Sequence, residues 1–229
     1  MEAYKREFIE FMVKAEVLTF GDFVTKSGRN TPYFVNTGRY RTGAQIEGLG
    51  RFYASAIEAC LPGDAIDVLF GPAYKGIPLA TAVAACLARD HGIDRGFCFD
   101  RKETKDHGEG GLLVGSIPGD GDRVLIVEDV TTAGTSIRET VPKLRAAADI
   151  KLAGLVISVD RRERGSDDRA ALDQLSDEMG MPCYSVVTVG DVIEYLHRRE
   201  IDGRVVIDDE IRNRMEQYLA EYGPRNRTV

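Results

Sequence analysis

The sequence predicts an α/β protein built on a doubly wound, mainly parallel sheet flanked by helices, with a small amino-terminal hood. The first observation behind this prediction is that short apolar runs alternate with helical patterns from residue 43 to residue 199. The second is the uninterrupted apolar run Val124 to Val127, which is typical of a strand buried on both faces. The third is that polar or glycine-rich loops follow the predicted strands, where ligand sites of such sheets lie.

Composition and charge limit the possible partners. The chain has 229 residues with 43% hydrophobic content, enough for one sizeable core. Its net charge of −7 and its pI of about 5.1 argue against nucleic acid or an anionic membrane as a partner. Small molecules are therefore the expected partners, and an anionic substrate would need a locally basic site.

The cysteines and the amino terminus predict a cytoplasmic protein. The four cysteines are widely scattered and form no Cys-x-x-Cys pair, so we expect reduced thiols rather than disulfides or a zinc site. The first residues lack an apolar signal core, and no run approaches membrane-spanning length.

The periodicities assign most of the chain to elements within a single domain. We expect an amino-terminal helix and hood over 1–40, an α/β core over 41–200 and a carboxyl-terminal extension over 201–229. Helices are predicted over 3–18, 43–59, 79–91, 137–148, 166–180, 191–198 and 208–222. Strands are predicted over 66–70, 96–100, 124–127, 152–159 and 183–189, with a hairpin-like flap between 20 and 40.

The segment that ends the central strand carries the clearest functional pattern. Glu128 and Asp129 stand at the strand end, and 131–136 (Thr-Thr-Ala-Gly-Thr-Ser) then opens a helix. Free backbone N–H groups and the helix dipole make such a turn a phosphate cradle. The two acids would repel that phosphate, so they must hold sugar hydroxyls or a metal ion, and the whole suits a ribose 5-phosphate. An ordinary turn with Ser or Thr as the N-cap is the plainer alternative, but it leaves the paired acids unexplained.

A second candidate anion site follows the strand 66–70. Gly71 and Gly76 have the spacing of a P-loop, but Ile77 stands where that motif requires lysine. A glycine-bounded turn that opens a helix is still an anion site, with Lys75 as its charge. On local grounds alone, a plain strand-to-helix connection is equally compatible.

The run from Arg101 to Gly111 is the third candidate. It holds three cations, a histidine and a cluster of glycines, and it has no apolar periodicity. Glycines supply mobility and the long cations can contact several phosphate oxygens, which suits a lid. The alternative is a solvated charged loop.

Five motifs, in order, closely resemble those of the orotate phosphoribosyltransferases, a branch of the type I phosphoribosyltransferase family. The resemblance covers residues 4 to about 196. The motifs are Lys-Ser-Gly-Arg with Pro-Tyr-Phe at 26–34, Gly-Pro-Ala-Tyr-Lys-Gly at 71–76, Arg-Lys-x-x-Lys-Asp-His-Gly at 101–108, the acid pair with Thr-Thr-Ala-Gly-Thr at 128–135, and Asp-Arg-x-Glu-Arg-Gly at 160–165.

The resemblance implies the transfer of a phosphoribosyl group from phosphoribosyl pyrophosphate (PRPP) to orotate, which gives orotidine 5′-monophosphate and pyrophosphate in pyrimidine synthesis. Mg²⁺ is implied as the cofactor, held mainly by PRPP with no direct protein ligand. A homodimer with shared active sites is also implied.

The resemblance also assigns residues. Catalysis falls to Lys105, Glu128 and Asp129. PRPP binding falls to Lys26, Tyr74, Lys75, Arg101, Lys102, Lys105, His107, Glu128, Asp129, Val130, Thr131, Thr132, Ala133, Gly134, Thr135 and Ser136. Orotate binding falls to Phe34, Val35, Thr132 and Arg161. Two positions depart from the common pattern, since many relatives have an aromatic at 35 and aspartate at 128.

Two alternative functions predict different sequence features. A purine phosphoribosyltransferase would lack both the arginine for a base carboxylate and the Lys-Ser-Gly-Arg hood. A regulator that binds PRPP without catalysis would lack the lid cations and usually carries a DNA-binding appendage. The chain has the arginine, the hood and the lid cations, and its sequence shows no DNA-binding appendage.

Overall fold

The structure, a computed structural model, describes residues 1–25, 28–105, 111–130 and 134–225, and it gives only the backbone of 102–105. Its helices are α1 (Ala3–Lys14), α2 (Gly43–Cys60), α3 (Gly76–His91), α4 (Thr135–Ala147), α5 (Ala171–Met179), α6 (Val189–Leu196) and α7 (Asp209–Tyr222). Its strands are β1 (Leu18–Val24), β2 (Asn30–Val35), β3 (Val68–Gly71), β4 (Gly96–Lys105), β5 (Gly111–Gly115), β6 (Arg123–Val127), β7 (Lys151–Asp160), β8 (Cys183–Thr188), β9 (Glu200–Ile201) and β10 (Arg204–Val205).

Six strands form the central sheet in the order β5-β4-β3-β6-β7-β8. All neighbouring pairs are parallel except β4 and β5, which are antiparallel. The chain first winds outward from β3 to β4 and then returns to place β6 on the other side of β3. The carboxyl ends of β3 and β6 therefore meet at the point where the winding direction reverses, the position at which such sheets bind ligands.

The central strand β6 shows why its apolar run is uninterrupted. Leu125 and Val127 join the core that includes residues of α1, α2, α3 and α6, while Val124 and Ile126 join the core of α4 and α5. Successive side chains of a strand point to opposite faces, so both faces must be apolar when helices cover both. This confirms the predicted doubly wound sheet.

The hood is an antiparallel hairpin of β1 and β2. Helix α7 packs against it, with the ring of Tyr218 edge-on to Tyr33 at 6.0 Å between centroids. Arg214 of α7 also donates to the carbonyl of Gly21 at 3.2 Å. The carboxyl-terminal helix therefore supports the amino-terminal hairpin.

The structure corrects several predicted elements. Helix α1 ends at Lys14, and Glu16 takes a left-handed backbone conformation before Leu18 begins β1. Strand β5 was not predicted, because a short apolar run between glycines gives little periodicity. The run from Arg101 has no apolar periodicity and is not predicted to be an element of the core, but residues 101–105 extend β4. Helix α5 begins at Ala171 rather than 166, and the short hairpin β9–β10 was not foreseen.

The thiols are free and none of the four cysteines is paired in a disulfide. Within the described residues, no helix combines the length and the apolar character needed to cross a bilayer.

Candidate active site

The backbone of the acid pair is held rigidly where β6 ends. The hydroxyl of Tyr53, a fully buried residue of α2, donates to the carbonyl of Glu128 at 2.7 Å. Ser158 of β7 donates to the carbonyl of Asp129 through both its N–H (2.9 Å) and its hydroxyl (2.5 Å). The backbone bond from Ser158 extends the pairing of β6 with β7, and together the bonds fix the point from which both carboxylates project.

The two carboxylates have opposite electrostatic environments. Glu128 is 7% exposed, and burial followed by repulsion from the neighbouring carboxylate raises its pKa to about 7, although the N–H of Asp129 donates to it at 3.0 Å. Burial acts on Asp129 as well. The hydroxyl of Thr37 and the ammonium of Lys75 nevertheless keep the pKa of Asp129 below its ordinary value. Asp129 is therefore the firmly ionised member of the pair at neutral pH.

Lys75 links the loop after β3 to this pair. Its Nζ lies 2.9 Å from Oδ2 of Asp129 and 3.1 Å from the hydroxyl of Thr37, which itself donates to the same carboxylate oxygen. Thr37 belongs to a short 3₁₀ turn that follows the hood. Residues 37, 75 and 129 are distant in sequence, and the switch point of the sheet brings them together.

Two glycines give the loop after β3 its shape. A Cβ added to Gly71 would lie 2.0 Å from the carbonyl oxygen of Gly76, and one added to Gly76 would lie 2.6 Å from the carbonyl carbon of Gly71. The backbone therefore folds onto itself at a distance that only glycine permits. This contact leaves Tyr74 (70% exposed) and the Lys75 side chain (61% exposed) on the surface of the loop.

No side chain of the described residues caps the start of α4. Gly134 is the N-cap, with a φ of +68°, and offers no side chain to cap the helix. The first residues of the helix are Thr135 and Ser136, and the Ser136 side chain counteracts the rise in the pKa of Glu128. The preceding residues of the turn, 131–133, lie outside the described residues.

Arg161 begins the loop after β7 and is only 8% exposed. Its Nε and Nη2 donate to the same oxygen of Glu163 at 2.8 and 2.6 Å, and its guanidinium lies over the ring of Tyr33, 4.6 Å from the centroid. Tyr218 of α7 donates to that Glu163 oxygen as well, at 2.7 Å. The arginine is thus oriented by the hood, by its own loop and by α7.

Phe34 lies on the other side of the hood hairpin from this contact. Neighbouring residues of a strand face opposite sides. Phe34 stacks on Phe23 with centroids 5.6 Å apart, and the next residue, Val35, packs against the core. Among the described hood residues, Tyr33 rather than Phe34 contacts Arg161.

The described site residues fall into connected groups. The structure joins Lys75, Glu128, Asp129, Val130 and Ser136, and it places Arg161 at the next loop along the edge. Lys26, His107, Thr131, Thr132 and Ala133 lie outside the described residues, as do the side chains of Lys102 and Lys105. Arg101, whose side chain is described, is partly buried at the start of the β4 extension.

Sequence reasoning missed several residues that hold the site: Tyr33, Thr37, Tyr53, Ser158 and Tyr218. The sequence does offer Asp160 or Glu163 as an ion-pair partner of Arg161, and the structure shows that the partner is Glu163. One signal was available for Ser158, because it is a polar residue inside the otherwise apolar strand β7. Tyr53 looked like any residue of an apolar helical face, and only its buried hydroxyl reveals its role. Thr37 had no sequence signal that we can identify.

The geometry of the described residues combines a helix start without a side-chain cap, a carboxylate pair and a lysine at the switch point of a parallel sheet. Residues 40–181 match the family model described as the phosphoribosyl transferase domain. The fold and the site therefore define a phosphoribosyltransferase.

Comparison with individual proteins narrows this class. The chain is 54% identical to the orotate phosphoribosyltransferase of Clostridium acetobutylicum, over 97% of this chain and 99% of that protein. It is 48% identical to the enzyme of Vibrio parahaemolyticus, over 97% and 100%. The crystal structure of the Francisella tularensis enzyme, 38% identical, superposes with a TM-score of 0.81 over 95% of this chain and 99% of that one. The chain belongs to the orotate phosphoribosyltransferases, enzymes of pyrimidine biosynthesis.

Proposed function

We propose that the loops at the carboxyl edge of the sheet divide the substrates among them. The turn 131–136 binds the 5-phosphate of PRPP, because the start of α4 offers uncapped N–H groups. Glu128 and Asp129 bind the ribose hydroxyls. Lys75 and Tyr74, together with Lys26 of the hood, bind the pyrophosphate. The position of Lys75 beside the carboxylate pair supports its own assignment.

The β4–β5 arm supplies the remaining cations. Residues 101–105 extend β4, which pairs antiparallel with β5, and His107 follows them in the sequence. We assign Arg101, Lys102, Lys105 and His107 to the pyrophosphate. A cationic arm that closes over the substrate would neutralise charge on the leaving group as it departs.

Mg²⁺ fits this site as a companion of PRPP. Magnesium is usually bound through one or two carboxylates plus substrate phosphates, rather than by a complete protein cage. Because Glu128 and Asp129 are assigned to the ribose hydroxyls, we propose that PRPP itself would hold the ion, with no direct protein ligand. When bound, the ion would offset the charge of the pyrophosphate.

The proposed chemistry needs no protein nucleophile. The N1 atom of the orotate anion can attack C1′ while the bond to pyrophosphate breaks, and positive charge develops on the sugar. The ionised Asp129 and the partly ionised Glu128 stabilise that charge, and the rigid backbone of the pair fixes their positions without reorganisation during the reaction. Lys105 acts on the leaving group.

Arg161 selects orotate through the base carboxylate in this proposal. Its Nε and Nη2 are occupied by Glu163, so Nη1 is the group that would donate to the ligand. The buried hydroxyl of Tyr33 has no hydrogen-bond partner among the described residues, and burying such a group unpaired is costly. A ligand beside Arg161 would supply a partner. The assignment of Phe34, Val35 and Thr132 to orotate rests on the family resemblance alone, since Phe34 stacks on Phe23 on the other side of the hairpin from Arg161.

We also propose a cytoplasmic homodimer in which each lid reaches the partner's site. The four unpaired thiols suit a reducing compartment. A single domain over 1–229 is part of the proposal, with the hood and α7 as its covering elements.

Arg161→Ala tests the site assignment. Loss of a charge-assisted hydrogen bond to a carboxylate costs about 1.5–3 kcal/mol, so the orotate KM should rise about ten- to hundredfold while the PRPP KM changes little. Pyrophosphate release is measured with each substrate varied in turn. Arg162→Ala is the matched control, because the side chain of Arg162 is 44% exposed and pairs with Asp160.

A melting curve and a comparison of the two KM values complete this test. Arg161→Ala leaves Glu163 without its main partner, so a melting curve must show that the variant is folded at the assay temperature. Equal increases in both KM values would contradict the orotate assignment.

A further inference from the structure

Asp100 is a buried carboxylate that no predicted role explains. It lies within β4, directly before the lid cations, and is 3% exposed. Its Oδ1 accepts a hydrogen bond from the N–H of Ala73 at 2.7 Å, and its Oδ2 accepts one from Lys143 at 2.6 Å. Both oxygens therefore have a partner from another segment.

These contacts connect three parts of the site. Ala73 belongs to the loop that carries Tyr74 and Lys75, Asp100 precedes the lid arm, and Lys143 lies in α4, whose first turn forms the proposed phosphate site. The loop 72–75 has one backbone clamp at the contact between Gly71 and Gly76. The bond from Ala73 to Asp100 is a second, independent clamp, two residues before Lys75.

The charge of Asp100 requires compensation. A carboxylate removed from water is costly unless it is paired and hydrogen-bonded. Lys143 provides the charge, and its side chain is 30% exposed. Removing Lys143 would leave a buried charge beside the loop, whereas removing Asp100 would release the loop itself.

We propose that Asp100, neutralised by Lys143, is a positioning residue that fixes the 72–75 loop and thereby sets the place of the Lys75 ammonium. The inference rests on the proposed role of Lys75 in binding pyrophosphate. Asp100 and Lys143 act through the loop, so their loss should impair the handling of PRPP and spare orotate.

The experiment compares Asp100→Ala, Lys143→Met and the double variant Asp100→Asn/Lys143→Met. Asp100→Ala should raise the PRPP KM about tenfold and lower kcat, with the orotate KM changed less than about twofold. Asparagine retains an acceptor for Ala73 and carries no charge. The double variant should therefore have a PRPP KM closer to that of the wild type than either Asp100→Ala or Lys143→Met.

The control breaks a different ion pair of the same sheet, far from the 72–75 loop. Asp67 precedes β3 and pairs with Arg123, the first residue of β6, at 2.8 Å, on the opposite edge of the sheet. Asp67→Asn should lower the melting temperature and leave both KM values unchanged. If Asp100→Ala behaves like Asp67→Asn, the pair is only structural and the inference is wrong.

Lys75→Ala separates this inference from the proposed function. If Lys75→Ala leaves the PRPP KM unchanged, the proposed role of the loop fails. If Lys75→Ala raises the PRPP KM and Asp100→Ala does not, the loop role stands and the positioning role of Asp100 is refuted.

Discussion

At the scale of single residues, Glu128 and Asp129 show what sequence reasoning can and cannot reach. Their identity as a functional pair follows from two acids at the end of a buried strand. Their opposite pKa shifts do not, because the shift of Asp129 depends on Thr37 and Lys75, which lie 92 and 54 residues away. The contacts that shift the two pKa values in opposite directions exist only after the sheet has formed.

The raised pKa of Glu128 predicts a pH-dependent stability difference. Between the ordinary value of 4.5 and about 7, the folded state holds a proton that the unfolded state has lost. The contribution of Glu128 to the free energy of unfolding therefore falls as pH rises through this window. Glutamine cannot ionise, so the free energy of unfolding of Glu128→Gln does not contain this loss. Relative to that of the wild type, it should increase by on the order of 2 kcal/mol as the pH rises from 4.5 to 7.5.

Denaturant unfolding of both proteins across this range measures the difference. The exposed Glu139→Gln in α4 controls for the loss of one negative charge. Parallel stability profiles for Glu128→Gln and the wild type would show that Glu128 titrates normally.

At the scale of elements, the sequence predicts helix α7 but not its contacts with the hood and with Glu163. Apolar spacing over 208–222 predicted the helix, and Asp208 caps it by accepting from the N–H of Ile211 at 2.9 Å. Its contacts with β2 and with Glu163 are long-range, so no local pattern encodes them. The same limit applies to β5, which forms because β4 offers it an edge.

Tyr218→Phe tests whether α7 serves the orotate side of the site. The variant keeps the ring beside Tyr33 and removes the hydroxyl that helps Glu163 to orient Arg161. One neutral donor to a charged acceptor is worth about 1.5–3 kcal/mol where it is fully buried. Because Tyr218 acts through two other residues, we expect only a several-fold rise in the orotate KM, with the PRPP KM unchanged.

Tyr222→Phe is the control, since this residue lies one turn later in α7 and its ring packs on Tyr218 at 4.9 Å. Steady-state kinetics with each substrate varied distinguish the two variants. A larger effect from Tyr222→Phe than from Tyr218→Phe would remove the role assigned to the hydroxyl.

At the scale of the whole molecule, the sheet brings together loops that local sequence patterns predict to be ligand sites. Alternating strands and helices sufficed to predict the doubly wound order, and with it the meeting of the β3 and β6 loops at one edge. How the hood, α7 and the core pack together depends on side-chain contacts between distant segments, which periodicity does not specify.

The proposed shared site predicts complementation between inactive subunits. Lys105→Ala removes a cation from the lid arm, and Asp129→Asn removes a carboxylate from the site that receives it. Each variant alone should lose most of its kcat, because these groups act as charge develops in the transition state. In a hybrid dimer both lesions fall in one site and the other site is intact, so mixing should restore part of the activity.

The mixture is assayed for pyrophosphate release after subunit exchange has been verified with differently tagged chains. Each variant mixed with itself in tagged and untagged form is the control. If exchange is complete and activity stays at the level of the single variants, Lys105 acts within its own chain.

The contact between Gly71 and Gly76 bears on how such proteins diverge. Because the two glycines fit against each other's backbone, selection for folding alone would retain them in a descendant that no longer catalysed any reaction. The Lys75 side chain is 61% exposed, so a descendant that had lost the reaction could replace it with little damage to the core. Among distant descendants, the lysine is therefore the better marker of retained chemistry, and the glycines mark only common ancestry of the fold.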